Sequence, residues 1–212
     1  MILKLINKSI SGTVIALCLV FMVGCSSNVT LKGSVDKSSN LKSKVNLQND
    51  LLKSIKKAAL QGKVINCDFP VYSTSIQHIQ AEIGKSDKAA SIPQIKNSKF
   101  YTYSKYNLVF GVKRDQVFEV RSFDNRLKQL PFSMVNKFLG HPEYNAVING
   151  ERIIGYTIIA ENNGTKEKYK IKLEFVFSKP VKATSDPILN HYFVLDPRST
   201  ADDMANDPGI QW

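Results

Sequence analysis

From Lys166 to Phe177 the chain reads Lys-Glu-Lys-Tyr-Lys-Ile-Lys-Leu-Glu-Phe-Val-Phe. Tyr169, Ile171, Leu173, Phe175 and Phe177 fall on one side of that stretch; Lys170, Lys172 and Glu174 fall on the other. A period of two held this long is incompatible with a helix, and it describes a strand with one buried and one wet face. Such strands belong to antiparallel sheets packed on one side. Every other segment has to be reconciled with that sheet.

Further strand-like stretches are KFYTYS, NLVFGV and QVFEVRSF, separated by polar breaks, then ERIIGYTIIAE and HYFVLD. VINCDF, after Gly62, reads as a short strand. Asn163-Gly164 fits a type I′ hairpin before the alternating strand, and Asn149-Gly150 marks an earlier turn. Three segments carry helical spacing. In NLQNDLLKSIKKAALQG, Leu47, Leu51, Ile55 and Ala58 share a face and Gly62 is the stop. In TSIQHIQAEIGKSD, Thr74 or Ser75 caps, Ile76, Ile79 and Ile83 form the stripe, and Gly84 ends the helix. LPFSMVNKFLGHPE repeats that design with Phe132, Val135 and Leu139 before Gly140.

Superposing Gly84 on Gly140 places Ile76 over Phe132, Ile79 over Val135 and Ile83 over Leu139. The expected architecture is α+β: two tandem units, each a helix followed by an antiparallel meander, spanning about 62–126 and 127–212. Their sheets join edge to edge with the helices packed on one face. The opposite face is then expected to be open, a broad surface suited to a protein or polymer more than to a small molecule.

The N-terminus sets the address. Residues 1–13 hold Lys4 and Lys8 and no acid, and Val14 to Val23 is an unbroken apolar run. Ten residues fit a secretory core and fall short of the roughly 20 that span a bilayer. The run closes as Met22-Val23-Gly24-Cys25 and passes at once into Ser26-Ser27-Asn28. That closure resembles the lipobox of bacterial lipoproteins, although Met22 stands where leucine is usual. In that family the cysteine thiol takes a diacylglycerol and becomes the mature N-terminus, which makes Cys25 the lipidation site and residues 1–24 the signal peptide. Residues 25–45, rich in Ser, Lys and Asn, bury too little apolar surface to offset their ordering entropy and read as a flexible tether. A single globular domain over 46–212 follows.

Of three cysteines, Cys18 leaves with the signal and Cys25 is acylated, so Cys67 has no partner for a disulfide. Losing the signal removes two lysines and no acid, taking the formal charge from +11 to +9. Export removes nucleic acid from the partners such a charge implies. Anionic wall polymer, lipid headgroups and a merely solvated lysine surface remain.

The succession SIQHIQAEIGKSDK, YTYSKYNLVFGVKRDQVFEVRSF, FLGHPE, ILNHYFVLDP and DDMANDPG is similar to the YjgB-type lipoproteins of Bacillus and Clostridium relatives, over roughly residues 60–212. Those carry a domain of unknown function, so the resemblance implies an envelope lipoprotein and transfers no catalytic residue. The helix-plus-meander pattern is also similar, more distantly, to the repeats of beta-lactamase inhibitor protein and to SmpA/OmlA-type assembly lipoproteins, which are binding proteins; this is analogy at the level of fold.

Tested for chemistry, the chain offers little. Cys67 is the best candidate nucleophile for a cell-wall hydrolase, yet Phe69-Pro70 blocks the helix start such a site uses, and a packed thiol is the simpler reading. His78, His141 and His191 occupy separate elements without paired-ligand spacing, so no metal is expected. Asp202, Asp203 and Asp207 lack the spacing of a calcium loop; Met204 and Trp212 are expected to pack the tail back on the sheet. No cofactor is expected. The leading expectation is a membrane-anchored extracytoplasmic binding or interaction module, an adaptor or inhibitor of an envelope protein. The alternatives are a binder of anionic wall polymer and a Cys67-dependent hydrolase. Tyr101, Tyr103 and Tyr156 are the candidate binding face, though the same three fit a core equally well.

Overall fold

The computed structural model describes residues 37–179 and 185–199. The signal segment, Cys25 and the C-terminal carboxylates with Met204 and Trp212 lie outside the described residues. Among those described, no helix is long and apolar enough to cross a membrane.

The chain opens with α1 (Lys37–Ala59). Its first turns therefore occupy part of the expected tether. Its buried stripe is Leu51, Leu52, Ile55 and Ala59, continued by Gln48, while Leu47 is 62% exposed. The buried face is therefore turned from the expected one: Leu52 and Ala59 are buried where Leu47 and Ala58 were expected, and Leu47 precedes the first buried residue, Gln48. A crossing segment leads to α2 (Ile76–Ile83), capped by the Ser75 hydroxyl accepting from the His78 N–H. Four strands follow: β1 (Lys88–Ser91), β2 (Ser98–Tyr103), β3 (Leu108–Lys113) and β4 (Gln116–Ser122). Then come α3 (Phe132–Leu139), β5 (Tyr144–Ile148), β6 (Glu151–Glu161), β7 (Lys168–Phe177) and β8 (Leu189–Leu195).

The strands form one antiparallel eight-stranded sheet in the order β1-β2-β3-β4-β8-β7-β6-β5. Two of its hairpins are tight. Asn149 and Gly150 have φ of 54° and 86°, and Arg114 and Asp115 have 49° and 69°. Both pairs supply the double positive φ of a type I′ turn, the second with no glycine. Asn163-Gly164 does not: neither has positive φ, and the β6–β7 connection is a longer loop in which the Asn162 carboxamide oxygen accepts from the N–H of Gly164 and Thr165.

Alternation sorts each strand between two cores. On one side Phe110, Val120, Leu173, Phe175, Tyr192 and Val194 pack with Leu52 and Ile55 of α1, Ile79 of α2 and Val135 of α3. The three α-helices of the described residues thus all pack on that face. Val176, Phe193 and Leu195, of opposite parity, and Phe118, turned to the same side by a bulge in β4 opposite Gly111 and Val112, cluster with Ile92 and Ile95 from the β1–β2 connection. The helix-free face therefore carries a second, smaller core at its centre, and the broad open surface expected there is partly covered.

VINCDF is irregular and no strand: the Cys67 N–H donates to the Val64 carbonyl at 3.1 Å, closing a turn. The Tyr192 hydroxyl accepts from the Ile65 N–H at 2.7 Å. Asn66 donates to the Tyr106 carbonyl at 2.9 Å and accepts from the Ser122 hydroxyl at 2.6 Å. Those bonds satisfy polar groups of a segment crossing the end of the main core.

Candidate functional site

Side chains of wet-face parity converge where β4, β8 and β7 run side by side. Cross-strand pairing sets them in one row: Tyr144 opposite Gly155, Gly155 opposite Glu174, Glu174 opposite Phe193, Phe193 opposite Arg121. The Arg121 guanidinium lies 4.4 Å from the Phe100 ring centre and 5.1 Å from that of Phe193, held between two aromatic faces. Its Nε donates to Glu119, itself only 5% exposed. Glu174 sits beside this pair. Burial, together with the Glu119 charge, pushes its carboxyl up to about 7, against the opposing pull of Tyr144, Lys172 and Arg121.

Gly155 makes the row close. A Cβ at that position would stand 2.1 Å from Cε1 of Tyr144, so the absent side chain lets the Tyr144 ring lie over β6 and bond Glu174. Next to Phe193, the His191 ring stacks on Phe123 at 4.6 Å and 21°. Burial, then the Arg121 charge, lowers His191 to about 4, leaving it neutral at pH 7 with a buried Nδ1 that has no hydrogen-bond partner. At the outer end Glu143 accepts from Lys172 Nζ at 2.8 Å, from the Thr157 hydroxyl at 2.7 Å and from the Thr157 N–H at 2.9 Å, and these bonds hold its carboxyl down at about 2. By bonding Thr157, Glu143 also caps β6 beyond the reach of β5, a blunted sheet edge.

A different site surrounds Cys67. A cavity of about 390 Å³ is lined by Asn66, Cys67, Phe69, His78, Glu82 and Tyr106 among others. The thiol and a histidine thus share one cavity, as a hydrolase would require. Their chemistry disagrees with that use. The Cys67 sulfur accepts from the Phe69 N–H at 3.4 Å, and burial pushes the thiol up to about 12, far from a thiolate. His78 meets the Phe69 ring edge-on at 5.6 Å.

The family model for a domain of unknown function, DUF4309, matches residues 52–195. The chain belongs to this family. The match begins within α1 and ends on the last residue of β8, so it takes in the whole sheet of the DUF4309 domain. No curated protein sequence matches the chain. Among solved structures, a cysteine-rich secretory protein from Staphylococcus aureus is similar at 14% identity and a TM-score of 0.35, over 60% of this chain and 44% of that one. The likeness thus spans less than half the length of the staphylococcal protein.

Within the DUF4309 domain the three candidate tyrosines do not form a helix-free binding face. Tyr103 is 2% and Tyr156 8% exposed, both in the main core, and half-buried Tyr101 packs against that core. Their strand parity matches Phe110 and Leu173, which points them at the helices. Tyr156 spends its hydroxyl on the Gly140 carbonyl at 3.0 Å. The three histidines stand apart: His78 on α2, His141 bonding the Pro142 carbonyl after α3, His191 in the row on β8. Sequence reasoning missed Glu119, Arg121 and Glu174 as a group. Its usable signal was the parity of Glu and Arg in QVFEVRSF and of Lys and Glu in KYKIKLEF; bringing the two stretches together requires knowing that β8 lies between β4 and β7.

Proposed function

We propose that the chain is an exported lipoprotein, held on the extracytoplasmic face of the cell membrane by a diacylglycerol on Cys25, and that its folded domain is a binding module that does no catalysis. The anchor is supported by the apolar run ending at Gly24-Cys25 and the polar residues after it. Binding over catalysis is supported by the state of Cys67: a protonated, backbone-bonded thiol is a poor nucleophile. The observation that carries the reading is the row Tyr144–Glu174–Arg121 on the sheet face without helices. A charged row costs stability on an apolar sheet face, which is where recognition chemistry is retained.

The same proposal includes an internal duplication. Gly84 and Gly140 end α2 and α3 at the same φ of 87°, each helix leads into four strands, and the last strands of the two meanders are neighbours. Kinship with the YjgB-type lipoproteins is part of the same proposal.

The test is affinity capture with the full tagged chain in a Gram-positive host. Mass spectrometry of the membrane-extracted protein should find the diacylglycerol on Cys25, and Cys25→Ser should release the chain to the medium. A partner captured by the wild type should be lost by Glu174→Gln and by Tyr144→Phe, two variants that preserve shape. Retention by both would remove this face from the reading; an unmodified Cys25 would remove the anchor.

A further inference from the structure

Helix α1 leaves the core halfway along its length. From Gln48 onward it buries one stripe, but Lys42 to Leu47 are all exposed. At about 100° per residue, Lys42, Lys53, Lys56 and Lys57 fall within an arc of about 100° beside that stripe, running about 22 Å along the axis. All four are exposed. Val45 borders the arc and Leu60 extends it past the helix end, 44% and 45% exposed. The helix holds one acid, Asp50, which pairs with Lys53 at 2.9 Å. The flank is therefore strongly cationic, with two uncovered apolar side chains among its charges.

Its position in the chain says what it meets. Lys37, where α1 starts, stands 12 residues after Cys25. Even fully extended, that length reaches at most roughly 40 Å, so an anchor on Cys25 keeps α1 near the bilayer. We propose that the lysine flank of α1 lies on an anionic lipid surface, with Val45 and Leu60 entering the headgroup layer; this rests on the lipid anchor proposed above. Basic side chains at such a surface are attracted within a Debye length, and apolar residues among them add buried area. A soluble wall polymer would satisfy the lysines alone, and nothing would keep it beside this helix in particular. Docked this way, the domain is held by lipid and helix together, with a fixed orientation.

The experiment uses the full chain purified from membranes and reconstituted into vesicles. An amine-reactive, membrane-impermeant reagent is applied and each lysine is read by mass spectrometry. In vesicles containing phosphatidylglycerol, labelling of Lys42, Lys53, Lys56 and Lys57 should slow by about threefold or more relative to pure phosphatidylcholine, and about 0.5 M salt should restore it. The exposed Lys88, Lys96 and Lys99 on the β1–β2 side should not change. Equal labelling of the α1 lysines in both vesicles, or uniform slowing of all lysines, overturns the proposal. So does stronger protection by soluble poly(glycerol phosphate) than by vesicles. The mass of the Cys25 peptide is read in the same digest: an unlipidated Cys25 fails the anchor, while a lipidated Cys25 with unprotected lysines fails the docking alone.

Discussion

Glu174 and His191 carry opposite proton linkages over nearly the same pH window, and each conceals the other. Glu174 is held at about 7 against an ordinary value of 4.5. Between those values the unfolded chain has lost the proton that the folded chain keeps, so stability falls as pH rises through the window. His191 is held at about 4 against 6.5. There the unfolded chain gains a proton that the folded chain refuses, so stability falls as pH drops. Each gap of about 2.5 pH units corresponds to on the order of 3 kcal/mol at 1.36 kcal/mol per unit. Together they nearly cancel between about pH 4.5 and 6.5. Glu174→Gln, which mimics the neutral acid, should uncover the histidine: the variant gains on the order of 3 kcal/mol relative to wild type on going from pH 4.5 to 7.5. His191→Phe, which keeps the ring against Phe123, should uncover the carboxyl and lose a similar amount over the same range. The double variant should restore the wild-type profile. Urea unfolding followed by far-UV circular dichroism at four or five pH values measures all four proteins. Two single variants that both parallel the wild type would refute the buried titrations. Shifts of one sign in both would refute their opposition.

Gly155→Ala should cost about 1–3 kcal/mol by driving the Tyr144 ring off β6. In a Tyr144→Ala background the same change should cost almost nothing, and a thermal-unfolding double-mutant cycle that shows no coupling would place the clash elsewhere. Gly62→Ala should be harsher, because its φ is +69° and a Cβ would stand 2.3 Å from the Tyr169 hydroxyl. A loss of about 2–4 kcal/mol in urea is expected, and a loss below that of an ordinary surface change would count against the contact. Native Cys67 should resist iodoacetamide at pH 8 until the chain unfolds, given a thiol pushed up to about 12. Rapid labelling in the folded protein would return the hydrolase to consideration.

Much of the fold was legible because the sheet repeats one rule. Glu151–Glu161 appears as read, and the strand read over 166–177 begins two residues later at Lys168, since period-two alternation survives where one face is buried. Ser75 and Gly84 bound α2 as expected because cap chemistry is local. What failed was non-local. Residues 88–91 carry only Lys-Ala-Ala-Ser and lie at one sheet edge; their strand exists through pairing with β2, not through propensity. Residues 144–148 form the other edge, where Val147 and Ile148 stay exposed and no alternation is required. Cys67 lies in a turn whose neighbours Ile65 and Asn66 find their partners at Tyr192 and Tyr106, 125 and 39 residues beyond Cys67, which no local pattern announces.

The charged row illustrates the same limit from the functional side. Within β4 alone, Glu119 and Arg121 look like an ordinary wet face; within β7 alone, so do Lys172 and Glu174. Burial of that wet face arises when β8 inserts between them and brings Phe193 against the guanidinium, with Phe100 on its other side. An arginine fixed between two rings has lost most of its rotamer freedom before any partner arrives, so binding there would cost less ordering entropy than at an exposed strand lysine such as Lys88, Lys99 or Lys170. The row also lies across the seam where the meander from β1 to β4 meets the one from β5 to β8. Core packing needs no charge at the seam, since Val120 and Val194 already pair across it on the helix side. Ionisable groups retained on the other side of that seam are therefore the feature of this fold that stability explains least.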